Sequence, residues 1–223
     1  MVTALGSDVW WIDLGGVNAY LVDDDPLTLI DAGLPWQGGD VIEAVSAAGF
    51  SPSDLERILI THYDVDHVGG LGRLDAYGIE VYAGLGDAPL VAGDASPGFG
   101  SRKSAFQTLA GAFATDPRVP VTSLTDGESI GSFTVYETPG HTSGHVAYVS
   151  EDRDAAFVGD LVRESDGSLS PSPWVISEDT GQVRESIRSL ADRMADVEIL
   201  GFGHGVPFEG NGTERLRTLA SSL

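Results

Sequence analysis

The sequence contains no cysteine, which excludes disulfides, cysteine-ligated zinc, iron–sulfur clusters and thiol nucleophiles. It is almost without lysine. Lys103 stands alone, and Lys and Arg together number 12 against 34 Asp and Glu, a formal net charge of −22. With so few cations to neutralise phosphate, nucleic acid and anionic membrane are not expected as partners. No apolar run approaches the length of a membrane span, and MVTALGSDVWW lacks the basic-then-apolar pattern of a secretory signal, so a cytoplasmic location is expected. A homodimer is left open.

What is present is the material of a core. Hydrophobic residues make up 42% of the 223 positions, and the acids are spread along the chain instead of gathered in a tail. This is a folded interior under an acidic surface, not a disordered polyanion. The length fits one domain over residues 1–223. Abundant Asp with scarce Lys resembles the proteins of salt-loving microorganisms, where dissolved salt screens self-repulsion.

Short apolar runs at 9–12, 17–22 and 27–31, broken by Gly-Gly and by Asp-rich turns, predict an antiparallel meander. A helix over 41–48, a buried strand over 57–61, a helix beginning at Val68 and a strand over 79–83 follow. Residues 84–118 are rich in Gly, Ala and Pro, with Phe106, Leu109, Ala110 and Phe113 on one helical face, and are expected to form an insertion or lid. Strand signals return at 121–124, 130–137, 146–149 and 155–158. A helix carries Val183, Ile187, Leu190 and Met194, a strand covers 197–200 and a helix closes at 213–219. Two groups of strands with their own helices predict two sheets face to face with helices outside. Trp10 and Trp11 adjoin on a strand and must face opposite ways, which predicts at least one exposed or at an interface.

Chemistry concentrates at strand ends. His62-Tyr63-Asp64-Val65-Asp66-His67 offers four metal-ligand side chains in six residues, and a core does not bury such charges unpaired. His141 in PGHTSGH, Asp160 in FVGDL and His204 in GFGHG also follow apolar strands within Gly-rich turns, where backbones can approach closely. All five histidines lie in these segments, a pattern that points to a metal site. Asp31 in LIDAG is expected to hydrogen-bond loop amides or ligand histidines. His145 reads either as a contact to substrate or to the ligands, or as a satisfied histidine at the rim. Thr142 and Ser143 are expected to form a turn. Trp36 and Trp174 read as walls of an apolar substrate pocket or as core residues.

Taken in order over essentially the whole chain, LIDAG, THYDVDHVGG, TPGHTSGH, VGD and GHG resemble the five motifs of the metallo-β-lactamase superfamily, in its small glyoxalase II-like branch. The resemblance implies an α/β fold, an αββα sandwich of two mixed β-sheets with helices on the outer faces, and two divalent metal ions between the sheet edges. Carried over, it implies His62, Asp64 and His141 around one ion, Asp66, His67 and His204 around the second, and Asp160 as the bridge. Asp64 stands where the usual HxHxDH pattern has His, and the flavodiiron branch resembles this case. A carboxylate reaches less far than an imidazole. A third carboxylate weakens the ions as Lewis acids and favours iron or manganese over zinc.

The leading expectation is a metal-dependent hydrolase of a small ester, thioester or lactone, acting through a metal-bound hydroxide that Asp66 orients or deprotonates. The alternative is a mononuclear non-haem iron dioxygenase of the persulfide dioxygenase type, using His62, His141 and Asp160 as two histidines and a carboxylate. A non-catalytic metal-binding protein is the third reading. Superfamily nucleases, with an inserted domain and a basic groove, fit the chain poorly, as do flavodiiron proteins with their flavodoxin domain and hydroxyacylglutathione hydrolases with a C-terminal helical domain.

Overall fold

The computed structural model describes residues 1–74, 77–96 and 120–223. Strands β1 (Val2–Ala4), β2 (Val9–Asp13), β3 (Asn18–Asp23) and β4 (Leu27–Ile30) form the antiparallel meander. Helix α1 (Gly38–Ala47) then carries the chain across to β5 (Leu55–Ile60), which pairs with β4 in parallel. Short helices α2 (Val65–Val68) and α3 (Leu71–Leu74) precede β6 (Glu80–Gly84). Helix α4 (Ala88–Val91) and β7 (Val121–Leu124) follow, and β6 and β7 extend the parallel half of a seven-stranded sheet.

The second sheet has five strands in the order β14-β11-β10-β9-β8. They are β8 (Ser129–Ile130), β9 (Phe133–Glu137), β10 (Val146–Ser150), β11 (Ala155–Phe157) and, after the hairpin β12 (Val162–Ser165) and β13 (Ser168–Pro171) and helix α5 (Thr180–Arg193), the strand β14 (Ile199–Gly201). The chain returns through α5 to place β14 parallel to β11, and α6 (Gly212–Ser221) packs beside α5.

Strand alternation builds the layers. In β5, Ile58 and Ile60 face the outer helices of the first sheet, whereas Leu59 faces the second sheet together with Tyr20, Phe133, Tyr148 and Phe157. In β10, Ala147 and Val149 face α5 and α6, whereas Val146 and Tyr148 join the central layer. Each sheet is therefore covered on both faces, and β3, β4 and β10 read as continuous apolar runs for that reason. Two bonds stitch the sheets beneath the site: Tyr148 Oη donates to the Ile60 carbonyl at 2.8 Å, and Val146 N donates to the Thr61 carbonyl at 2.9 Å.

Several expectations need correction. The helix expected from Val68 begins at Val65, so Asp66 and His67 lie on it; Asp64 is the extended residue that opens it. The run 130–137 is two strands folded back at Gly131, whose φ of 59° favours glycine. The β12–β13 hairpin was not expected, because its strands alternate polar residues and bury little. Neither Trp10 nor Trp11 is exposed: Trp10 meets Phe50 edge-on at 5.2 Å, and Trp11 Nε1 donates to Asn18 Oδ1 at 2.8 Å. Of the expected lid, residues 84–96 form the end of β6 and the α4 turn; Phe106, Leu109, Ala110 and Phe113 lie outside the described residues.

Candidate metal centre

Every candidate ligand follows the C-terminal end of a strand. His62 and Asp64 lie between β5 and α2, Asp66 and His67 on α2, His141 between β9 and β10, Asp160 just after β11, and His204 just after β14. Parallel β11 and β14 end together, which brings the last two side by side. His204 Nε2 stands 3.2 Å from Asp160 Oδ2 and 3.5 Å from Asp66 Oδ2. Asp64 Oδ2 is 2.9 Å from His141 Nε2 and 3.5 Å from His62 Nε2, and Asp160 Oδ1 is 3.5 Å from His67 Nε2.

All seven sequence-expected ligands thus meet, and among the described residues their donor atoms converge in three trios. These are His62, Asp64 and His141; Asp66, His67 and His204; and His62, His67 and Asp160. The combination His62, His141 and Asp160, expected for a single iron, is not one of the three.

The far side of each imidazole decides which nitrogen is available. His67 Nδ1 faces Asp31 Oδ2 at 2.8 Å and His204 Nδ1 faces the Gly16 carbonyl at 2.6 Å. Both partners can only accept, so both Nδ1 atoms carry hydrogen and Nε2 is the nitrogen that each ring turns toward the site. Thr61 Oγ1 donates to Asp31 Oδ2 and can then only accept from His62 Nδ1, 3.0 Å away, which fixes the same tautomer. His141 Nδ1 has Ser172 Oγ at 2.9 Å. Asp31 also accepts from Thr61 N at 2.8 Å, and thereby satisfies a loop amide and a histidine together, as expected.

Three buried atoms of this cluster, His62 Nε2, His67 Nε2 and Asp160 Oδ1, have no hydrogen-bond partner among the described residues. Orphaned nitrogen and carboxylate atoms converging on one point suit a divalent cation. Gly203 leaves the space: a Cβ there would run into Asp160 Oδ1 and the His67 ring. The electrostatics make the same demand for positive charge. Burial opposes protonation of His67, yet the charges of Asp31 and Asp160 hold its pKa well above the ordinary histidine value. Burial also opposes ionisation of Asp160, but the neighbouring His204 and His67 imidazoles hold it well below the carboxylate range. His204 is raised against its burial by Asp160, whereas burial wins at His141 and lowers it despite Asp64.

The expected substrate contacts divide. His145 is 1% exposed, its Nδ1 lies 2.8 Å from Thr138 Oγ1, and its ring lies 5.1 Å from that of His62. It packs beside His62 in the interior. Trp36 and Trp174 are 71% and 66% exposed, so neither is a core residue. Sequence reasoning missed Ser172 and the bond between His62 and Thr61. Ser and Thr beside the histidine motifs carried a weak signal.

Comparison with known proteins identifies the family. "Uncharacterized protein YobT" of Bacillus subtilis is 32% identical over 214 residues, covering 90% of this chain and 88% of its own. "Probable metallo-hydrolase YflN" of the same organism is 28% identical, covering 92% and 87%. Among solved structures, TTHA1623 in a di-iron-bound form is 28% identical with a TM-score of 0.68, covering 92% of this chain and 94% of that one. BJP-1, a subclass B3 metallo-beta-lactamase of Bradyrhizobium japonicum, shares the fold at 22% identity and a TM-score of 0.70, covering 100% and 90%. The family profile described as "Metallo-beta-lactamase superfamily" matches residues 12–204, and the chain belongs to that superfamily.

Proposed function

We propose that this protein is a metal-dependent hydrolase of a small, uncharged ester, thioester or lactone. It would hold one divalent ion with His62, Asp64 and His141 and a second with Asp66, His67 and His204, Asp160 lying between them. The observation that carries the reading is the convergence of four Nε2 atoms, each ring held at its Nδ1 by a hydrogen bond, with the carboxylates of Asp64, Asp66 and Asp160. The ions would supply Lewis acidity and a hydroxide at neutral pH. Asp66, with 30% of its side chain exposed, would be the carboxylate to meet incoming water and accept its proton. Three carboxylates in the set favour iron or manganese over zinc, and the di-iron form of TTHA1623 supports that preference.

Substrate class rests on the rim. Trp36, Trp174, Val175 and Val206 are exposed apolar side chains in the loops that carry Asp31, Ser172 and His204, a surface suited to an apolar acyl group. A net charge of −22 repels anions. The test is elemental analysis of protein purified without added metal, followed by a panel of esters, thioesters and lactones before and after chelation. Bound metal with chelator-sensitive hydrolysis is expected. Metal-free protein, or turnover that survives chelation, overturns the proposal; one iron per chain with oxygen consumption would favour the dioxygenase reading instead.

A further inference from the structure

Asp87 is a buried carboxylate outside the candidate ligand set. Asp87 sits in the turn between β6 and α4, is 1% exposed, and makes no ion pair among the described residues. A buried carboxylate without a cation is costly unless hydrogen bonds replace its water. Here three do. Asp87 Oδ2 accepts from Tyr63 N at 2.7 Å and from Thr142 Oγ1 at 2.7 Å, and Oδ1 accepts from Gly144 N at 3.1 Å.

Each donor has a neighbour in the site. Tyr63 lies between His62 and Asp64. Thr142 follows His141, and Gly144 precedes His145. One carboxylate therefore ties the loop after β5, from the first sheet, to the loop after β9, from the second. The approach is close enough to demand glycine: a Cβ on Gly86 would lie 2.8 Å from the Gly144 Cα, and a Cβ on Gly144 would strike the Asp87 backbone and its carboxylate.

The second trio has separate supports. Asp31 holds His67, the Gly16 carbonyl holds His204, and Asn18 Nδ2 donates to the Phe202 and Gly205 carbonyls at 2.9 and 2.8 Å to fix the His204 loop. None of these touches Asp87.

We infer that Asp87 is a positioning residue for one half of the metal centre: it sets the distance between the His62–Asp64 loop and His141, and so governs the affinity of that ion alone. The inference rests on the metal reading proposed above. Without Asp87, Tyr63 N and Gly144 N lose their acceptor and the two loops are free to separate, while the ligand atoms themselves remain.

The experiment is titration of metal-free protein with zinc(II) against a chromophoric chelator, for the parent, Asp87→Ala and Thr142→Val. The last removes one of the three bonds and spares the buried charge, so it serves if Asp87→Ala does not fold. Asp87→Ala should weaken one ion by ~10- to 100-fold, the usual effect of losing a supporting partner, and Thr142→Val should weaken the same ion by less. Repeating the substitutions on His204→Ala, which retains the first trio, and on His141→Ala, which retains the second, should place the loss in the first background only. Equal losses in both backgrounds would mark Asp87 as a general support of the fold and overturn the inference. Unchanged affinities would overturn it as well, leaving the metal reading intact, whereas a parent that binds no zinc overturns the metal reading itself.

Discussion

The two halves of the candidate centre are built from the same residue types and differ in what surrounds them. In the first, His62 and His141 have fully buried side chains and Asp64 is 15% exposed. In the second, His67 is fully buried but His204 is 14% and Asp66 30% exposed. The first half is enclosed and depends on two loops from opposite sheets meeting at Asp87. The second opens to solvent, with its histidines braced by Asp31 and by the Gly16 carbonyl. The contrast separates tasks: the enclosed side is suited to holding an ion in place, and the open side to admitting water and substrate.

The sharpest test of that contrast is removal of metal from both sides. Chelation should abolish turnover and lower the melting temperature, because a ligand bound at 100 to 1,000 times its dissociation constant contributes about 3–4 kcal/mol, or on the order of 10 °C for a chain of this size. A melting temperature indifferent to chelator would break the picture on both sides together. Next in size is Asp31→Ala. It strips the acceptor from Thr61 N and from His67 Nδ1, at a cost of about 1–3 kcal/mol for each buried donor left unpaired. The φ of 60° at this position adds strain for alanine. Since Thr61 also holds His62, both ions should weaken, unlike the one-sided loss expected at Asp87, and calorimetric metal titration would show whether they do.

Asp64→Ala removes a donor from the enclosed side alone. Metal per chain should fall while the His67 side keeps its ion, and Asp64→His should shift the preference toward zinc, because imidazole is the softer ligand. Elemental analysis yielding the same metals in the same ratio for all three proteins would make Asp64 a bystander. The smallest effect should come from salt. At a net charge of −22, melting temperature and activity should rise from low to molar KCl, by screening that acts over ~3 Å at 1 M and reaches the open side before the enclosed one. A flat response would remove the salt-loving reading.

The convergence of the seven candidate ligands was readable from the sequence because each His and Asp stands in a Gly-rich turn after an apolar strand. The layers were readable because Ile58, Leu59 and Ile60 alternate between two buried faces. Other features left less trace. Two of the three donors to Asp87 are backbone N–H groups, which every residue but proline carries, and the third is the Thr142 hydroxyl, so no charged partner advertises it. The β12–β13 hairpin hides because its polar alternation resembles a loop. Adjacent Trp10 and Trp11 do point opposite ways, but both find partners: Phe50, forty residues on, meets the first ring, and Asn18 on the neighbouring strand accepts from the second. Periodicity specifies direction, and only tertiary structure specifies what waits there.

Each trio draws ligands from both sheets, and this bears on how a chain without cysteine can be cross-linked. An ion held by Asp64 and His141 would join positions 77 residues apart, and one held by His67 and His204 would span a longer loop still. Bridges across loops of that length restrict the unfolded chain much as disulfides do. The difference is that these fasten from one end of the sandwich and open to a chelator instead of a reductant. Release of the ions and parting of the sheets would then be a single event, so resistance to proteolysis should track metal occupancy as closely as turnover does.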